Sequence, residues 1–276
     1  MLGLLPTEFF DSDHVENCVR WALGIEYDGT DYHGWQKQLS QVSVQSRLEK
    51  ALSAIAGETV HTVCAGRTDS GVHASGQVVH FDTDVERPAQ AWVRGVNSDL
   101  PASIRVHWAR LVHEEFHARY SALWREYTYR IHFGAVHRAL YRRYSTWTHW
   151  ELDADLMAAA ARNFVGRHDF SSFRASECQA KSPVRDVYRF EVIQTSRSEI
   201  LMTIRANAFL HHMVRNMVAV LIEIGAGRRP VEWVVELLEA KDRTKAAATS
   251  AACGLCLASV AYPIEFGLPV SMELGD

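Results

Sequence analysis

Neighbouring β-like segments in this chain are joined by connections too short for a parallel crossover. Residues 187–193 and 200–205 are separated by a short polar turn, and residues 59–65 and 77–81 by one polar loop. A parallel connection needs about a dozen residues or more, usually as a helix. The spacing therefore predicts a largely antiparallel sheet, and the helices interspersed with these strands make the fold class α+β.

The order of elements predicts two comparable halves. Roughly β-α-β-β-α-β fills the first hundred residues or so, and a similar set follows. The clearest strand is 124–133, in which large apolar residues alternate with polar ones. Ser43 is a predicted N-cap for a helix that stops at Gly57, and a long helix is predicted from about Phe209 to Ile224. We predict an N-terminal extension of unknown role (1–17), a first half (18–112) and a second half (113–276).

Composition is that of a folded intracellular protein. The 276 residues are 47% hydrophobic and 22% charged, and no apolar run approaches the length of about 20 residues that a transmembrane helix needs. The first ten residues lack a basic region and are followed by acids, which makes a poor signal peptide. Five scattered cysteines fit reduced thiols better than a disulfide framework. We therefore expect no membrane partner and a cytoplasmic location.

Charge is unevenly distributed despite a net charge of −4. The segment 105–143 holds eight arginines against three glutamates, with aromatic residues interleaved. Arginine and aromatic side chains together suit phosphate contact and base stacking. The same pattern would also arise from core strands whose arginines face solvent, so the segment alone leaves both interpretations open.

The loop Ala65-Gly66-Arg67-Thr68-Asp69-Ser70-Gly71-Val72-His73-Ala74 is the most informative motif. It holds one carboxylate, Asp69, between Arg67 and His73. Glycines at 66 and 71 allow close approach of the backbone or positive φ. A nearby arginine would keep Asp69 ionised, as a nucleophile or base requires. An ordinary Asp-Ser-Gly turn with a surface salt bridge is the alternative.

Two other groups of residues allow a metal or redox interpretation, which we consider weak. The stretch His80-Phe81-Asp82-Thr83-Asp84 could offer metal ligands, although a strand end running into an acidic loop is a far commoner origin of such a pattern. The pair Cys253 and Cys256 would need further zinc ligands. His211 and His212 are expected to point to two different faces of the predicted helix, whereas His211 and Arg215 would share one.

Taken together, these motifs resemble the tRNA pseudouridine synthase A family, over nearly the whole chain after about Arg20. The resemblance is carried by several blocks in the same order: Tyr27-Asp28-Gly29-Thr30 with Gly34-Trp35-Gln36, Ala65 to Phe81, Phe170 to Arg174, Ala206 to Asn216, Ala240 to Thr244, and Gly254-Leu255. The extension through Asn17 and the cysteines at 253 and 256 depart from the family pattern.

The resemblance implies a role for five residues. Asp69 would be the catalytic aspartate, and Arg67 the loop arginine that pairs with it and helps displace the target base. Tyr127 would stack on the target uracil, Arg215 would pair with the aspartate, and Leu255 would be an apolar contact to the base.

The same resemblance implies an activity and a set of partners. Members isomerise uridine to pseudouridine at positions 38, 39 and 40 of the tRNA anticodon stem-loop, as homodimers, without metal or cofactor. Their fold has two α+β halves that form a continuous, mainly antiparallel central sheet flanked by helices, with a basic cleft between the halves. An RNA-binding protein without catalysis, or a metal-dependent phosphoesterase using His80, Asp82 and Asp84, would be the rival interpretations.

Overall fold

A computed structural model describes residues 18–269 of the chain. The predicted N-terminal extension, 1–17, lies outside these residues. No helix within 18–269 is long and apolar enough to cross a membrane. The strands are β1 (Val19–Tyr27), β2 (Val63–Cys64), β3 (His73–Thr83), β4 (Ile104–Val112), β5 (Trp124–Phe133), β6 (Thr146–Thr148), β7 (Gly166–Asp169), β8 (Val184–Ser196), β9 (Glu199–Ala206) and β10 (Leu255–Ala261). The α-helices are α1 (Val44–Ala56), α2 (Val96–Asp99), α3 (Ala154–Ala161), α4 (Met213–Gly225) and α5 (Trp233–Ala240).

These strands form one large, mainly antiparallel sheet in the order β4-β1-β3-β10-β5-β9-β8-β7, with β2 added to β3 and β6 added to β5. Strand β10 comes from the second predicted half, yet it lies between β3 and β5. It runs parallel to β3 through only two residue pairs and antiparallel to β5 through a longer ladder. The fold class is therefore confirmed, and the two sides of the sheet are joined through β10.

Several predicted elements agree with the structure because their local signals are strong. Ser43 caps α1 by accepting a hydrogen bond from the Ser46 N–H, and Gly57 ends the helix at φ 78°. The predicted strand 124–133 is β5, and its apolar face is buried. A single cluster of buried apolar side chains runs across the sheet, from Trp21 on β1 to Leu221 on α4.

Other predictions need correction. The helix predicted from Phe209 begins at Met213, and the β-like segment 59–65 is reduced to Val63–Cys64. The second helix of the predicted β-α-β-β-α-β order is present over residues 89–99, but its segment 91–95 is π-helical and only the end of it is α2. Strands β6 and β7 are too short to give a periodic signal and were not predicted. The boundary between residues 112 and 113 stays a prediction.

Candidate active site

The loop between β2 and β3 is held by backbone hydrogen bonds from a neighbouring segment. The Trp35 N–H donates to the Thr68 carbonyl at 3.0 Å, and the Gly71 N–H donates to the Tyr32 carbonyl at 3.3 Å. The buried Tyr27 hydroxyl is 2.8 Å from the Thr68 hydroxyl. These contacts fix the backbone on both sides of Asp69.

Two glycines, one in each of the segments 27–30 and 34–36, allow these segments to pack closely against the loop. A Cβ atom at Gly29 would lie 1.9 Å from the Val72 carbonyl oxygen. Gly34 has φ 82°, and a Cβ there would lie 2.7 Å from the Thr68 carbonyl oxygen. Only glycine allows this close backbone approach, so the two motifs form one packed unit.

Two buried polar side chains hold the start of the loop. The Gln77 amide donates to the Gly66 carbonyl at 2.6 Å and accepts from the Gly66 N–H at 3.3 Å. The Arg125 guanidinium, 7% exposed, donates to the carbonyls of Ala65 and Asn207, each at 2.9 Å. Burial lowers the pKa of Arg125. Because Asn207 follows β9, Arg125 connects the loop to the strands on the other side of β10.

The Asp69 carboxylate faces three nitrogen-bearing side chains from one distant segment. Arg215 Nη1 donates to Asp69 Oδ2 at 3.2 Å. The Nε2 atoms of His211 and His212 lie 3.4 Å from Oδ1 and Oδ2 respectively. Asp69 retains 19% exposure of its side chain. The carboxylate is thus reachable from solvent and is oriented by its hydrogen bond from Arg215.

The chain reaches this arrangement through an unusual residue at the start of α4. His212 has left-handed backbone geometry with φ 62°, shared among non-glycine residues of 18–269 only by Lys241. Helix α4 therefore begins after both histidines, whose ring centroids are 4.0 Å apart. The expectation that His211 and His212 diverge on a helix is wrong for this reason. Arg215, in the first turn, is fixed by a 2.8 Å hydrogen bond from its Nε to the Ser250 carbonyl.

Arg67 does not form an ion pair with Asp69. Its side chain is exposed, and the described residue that pairs with Asp69 through a guanidinium is Arg215. The predicted pairing of Arg67 with Asp69 is therefore not formed, and the role of Arg67 in displacing a base stays a prediction. As an exposed side chain, Arg67 is accessible from solvent.

Tyr127 and Leu255 line the same region from adjacent strands. Tyr127, on β5, is 8% exposed, and Phe209 packs edge-on against it with ring centroids 5.0 Å apart. A Cβ atom placed on Gly66 would lie 3.6 Å from the Tyr127 hydroxyl. Burial and the charge of Asp69 raise the pKa of Tyr127. The phenol is therefore protonated, and it can stack or donate a hydrogen bond but does not act as a phenolate base. Leu255, at the start of β10, is 5% exposed and pairs with Tyr129.

The remaining candidates contact partners other than Asp69. His80 is buried and accepts from the Ala118 N–H at 3.1 Å, while Asp82 forms a two-bonded pair with Arg20. His73 accepts from the Gly29 N–H at 3.0 Å and therefore supports the adjacent segment. Within residues 18–269, the group of side chains that could hold a metal is instead Asp69, His211 and His212, whose ligand atoms lie within 4.8 Å of one another.

Cys253 and Cys256 are free thiols with separate partners. The Cys253 thiol lies 3.3 Å from the Ser145 carbonyl, and the Cys256 thiol lies 3.7 Å from the Ser75 hydroxyl. Burial raises the pKa of Cys256, so this thiol is not activated.

The basic segment 105–143 divides into two sets of side chains. Arg125 is buried, Arg130 pairs with Glu199 and Arg143 with Asp31. Four of the other arginines are exposed, and so are two of the aromatic residues. These exposed side chains are Arg110, Arg119, Arg138 and Arg142, with Tyr120 and Tyr141.

Comparison with known proteins gives a consistent result. A family model described as tRNA pseudouridine synthase matches residues 24–121 and 160–263. The chain is 54% identical to tRNA pseudouridine synthase A of Pseudomonas aeruginosa, over 91% of this chain and 88% of that protein. It is 52% identical to the proteins of the same name from Shewanella denitrificans and Shewanella piezotolerans, over 91% of this chain and 96% of each of them.

Proposed function

The chain belongs to the tRNA pseudouridine synthase family, whose members are isomerases acting on uridine in tRNA, and from that premise we propose that Asp69 is its catalytic carboxylate. We further propose that the target uridines are those at positions 38, 39 and 40 of the anticodon stem-loop. The finer assignment rests on the resemblance of the loop around Asp69 to the catalytic loop of this family.

One observation carries the assignment to Asp69. Its carboxylate is partly exposed and paired with Arg215, in a loop whose backbone is held by Tyr27, Gln77 and Arg125. An ordinary turn aspartate needs neither a rigid support nor a guanidinium from a segment 146 residues away. A positioned, ionised carboxylate is what attack on a sugar carbon or removal of a proton requires.

The chemistry breaks the N1–C1′ bond of uridine, turns the detached uracil and joins C5 to C1′; C5 then loses its proton to solvent and N1 gains one. Asp69 either attacks C1′ or takes a proton from C2′ to give a glycal, and both steps use the same free carboxylate. Arg215 orients that carboxylate through its hydrogen bond to Oδ2. The reaction transfers no electrons and no phosphoryl group, so it requires neither a redox cofactor nor a phosphoryl donor.

The target base must leave its stack before it can reach Asp69, at a cost of a few kcal/mol. Stacking on an aromatic side chain recovers about 1–3 kcal/mol per base, and Tyr127 is our proposed partner. Because Tyr127 is largely buried and Phe209 packs edge-on against it, base binding would displace part of that contact. Arg67 would occupy the gap left by the base, and Leu255 would contact the base from β10.

Binding of tRNA is proposed to use the exposed arginines of the basic segment, Arg110, Arg119, Arg138 and Arg142. Each phosphate contact releases counterions, so affinity should fall steeply as salt rises. A cytoplasmic location and a homodimer are part of the same proposal and rest on the family alone.

The test measures release of tritium from C5 of uridine in labelled tRNA, with EDTA present. The wild-type protein should release tritium, while Asp69→Asn should lose turnover by about 10⁴-fold or more. Asp82→Asn is the matched control, because Asp82 is also an arginine-paired carboxylate but lies on β3 away from the loop. Turnover by Asp69→Asn at the control rate would reject the assignment. Release that requires a divalent metal would instead favour metal-dependent chemistry.

A further inference from the structure

The two histidines beside Asp69 are not accounted for by the proposed chemistry. His211 and His212 bring two imidazole nitrogens to 3.4 Å from the two carboxylate oxygens. Of the three contacts to Asp69, only that of Arg215 has the alignment of a hydrogen bond. The imidazole nitrogens thus lie close to the carboxylate without being hydrogen-bonded to it.

The spacing of these atoms is that of ligands around a small metal ion. Two ligands about 2.0–2.1 Å from a tetrahedral zinc ion lie about 3.3–3.4 Å apart. Each imidazole nitrogen lies about one such edge, 3.4 Å, from a different oxygen of the Asp69 carboxylate. One donor atom from each of the three residues lies within 4.8 Å of the other two, so rotation of the side chains would bring the three donors onto one ion. Two imidazoles and a carboxylate are a donor set that suits zinc and similar metals.

The backbone and the exposure of the cluster also fit a ligand. His212 holds φ 62°, and strained backbone of this kind is concentrated at active sites and ligand clamps. The side chains of His211 and His212 retain 37% and 29% exposure, so an ion can enter from solvent and keep a water molecule as a further ligand.

We infer that Asp69, His211 and His212 form an inhibitory site for Zn²⁺ and chemically similar divalent metals. The inference rests on the proposed role of Asp69. A bound ion takes the oxygen lone pair that would otherwise reach C1′ or the C2′ proton, so metal binding and turnover exclude each other. Mg²⁺ prefers an octahedral shell of oxygen ligands and does not bind at this site. The enzyme would therefore work with Mg²⁺ present and stop when Zn²⁺ is added.

The primary measurement needs neither tRNA nor turnover. Co²⁺ is added to the full-length protein, and its visible d–d absorption is followed. The wild-type protein should give the intense band of a low-coordinate site at one ion per chain. His211→Gln and His212→Gln should each weaken binding by about tenfold or more, at least the loss typical of a disturbed metal site. His61→Gln, which changes an exposed histidine after α1, should bind Co²⁺ as the wild type does.

The second measurement is inhibition of tritium release by Zn²⁺ in buffer containing Mg²⁺, with each variant compared with its own metal-free rate. Wild type and His61→Gln should be inhibited alike, and the Zn²⁺ concentration for half-inhibition should rise about tenfold or more in His211→Gln and His212→Gln. An unchanged Co²⁺ spectrum in both variants, or equal inhibition of all four proteins, would overturn the site. Absence of turnover in EDTA would reject the proposed function instead, so the two failures are distinguishable.

Discussion

Two stretches of the chain meet at Asp69, and they are built on different principles. The loop 65–72 is held by hydrogen bonds to its backbone and to Thr68 and by close glycine contacts, and its side-chain supports are buried. The segment 211–215 contributes charge and imidazole nitrogens that remain partly exposed. The loop thus fixes the position of Asp69, and the segment 211–215 provides the charged and polar groups around its carboxylate. Changes in the loop supports should therefore lower stability, whereas changes in the segment should lower activity.

The largest effect on activity in this comparison is expected at Arg215 and not at Arg67, the other arginine near Asp69. Arg215→Met removes the guanidinium paired with Asp69, and we expect a loss of about 10²–10³-fold in the single-turnover rate, equivalent to about 3–4 kcal/mol. The free energy of unfolding should fall by only about 1 kcal/mol, because the Ser250 carbonyl loses its donor. Arg67→Met is the matched control, because Arg67 is exposed and not paired with Asp69; it should raise KM for tRNA more than it lowers kcat. Similar losses of kcat in both variants would show that the two arginines act alike.

The second prediction concerns Arg125, which supports the loop from the other side of the sheet. Arg125→Met leaves the carbonyls of Ala65 and Asn207 without their donor, and we expect the free energy of unfolding to fall by about 3 kcal/mol. Urea denaturation measures it, with Arg110→Met as an exposed control that should stay within about 0.5 kcal/mol of wild type. Stability equal to the control would mean that water replaces the guanidinium, and the loop would then not depend on this contact.

A smaller effect is expected at Gln77. Gln77→Leu leaves both the N–H and the carbonyl of Gly66 unpaired, which should destabilise the protein by about 2 kcal/mol. The exposed Gln194→Leu on β8 provides the control. If the rate falls while urea denaturation is unchanged, the comparison between the two regions fails, because a loop support would then act on activity alone.

The last prediction concerns the loss of stability at low pH, which we attribute to His80 on β3, the strand that follows the loop. Burial lowers the pKa of His80 on β3 to about 4, with Arg20 and His117 adding to the shift and Asp82 opposing it. The unfolded chain binds a proton at this residue below pH of about 6.5, whereas the folded protein does so only near pH 4. Stability should therefore decline as pH falls through that window, by about 1–3 kcal/mol in total.

The check is urea denaturation between pH 7 and pH 4, starting from a region where His80 is neutral in both states. His80→Gln should flatten the pH dependence of the free energy of unfolding. His61→Gln, at an exposed histidine, should keep the wild-type slope. Parallel curves for all three proteins would show that His80 does not carry the acid sensitivity.

Sequence reasoning succeeded where the signal is local. The cap at Ser43, the alternation along β5 and the glycine-bounded loop with Asp69 each depend on a few adjacent residues. Contacts between distant residues have no such local signal. The pairing of Asp69 with Arg215 is implied by the family resemblance alone and is present in the structure, whereas the pairing with Arg67 is not formed.

The paired histidines show why such misses occur. The apolar periodicity of α4 extends back toward Phe209, so both histidines were expected to lie on the helix. Positive φ at His212 ends that continuity, and nothing in the sequence marks a histidine for left-handed geometry. The insertion of β10 between β3 and β5 was equally invisible, because pairing across the chain has no local signature.

The central place of β10 has a consequence for synthesis on the ribosome. Strands β3 and β5 emerge long before Leu255–Ala261. Strands β2 and β6 pair with part of their facing edges, and the rest of each edge stays unpaired until β10 is added between them. Such edges can pair with other chains, and the long sequence separation makes the final step slow. A nascent chain halted before residue 255 would therefore be prone to aggregation, and it would become a synthase only when one of its last strands is added.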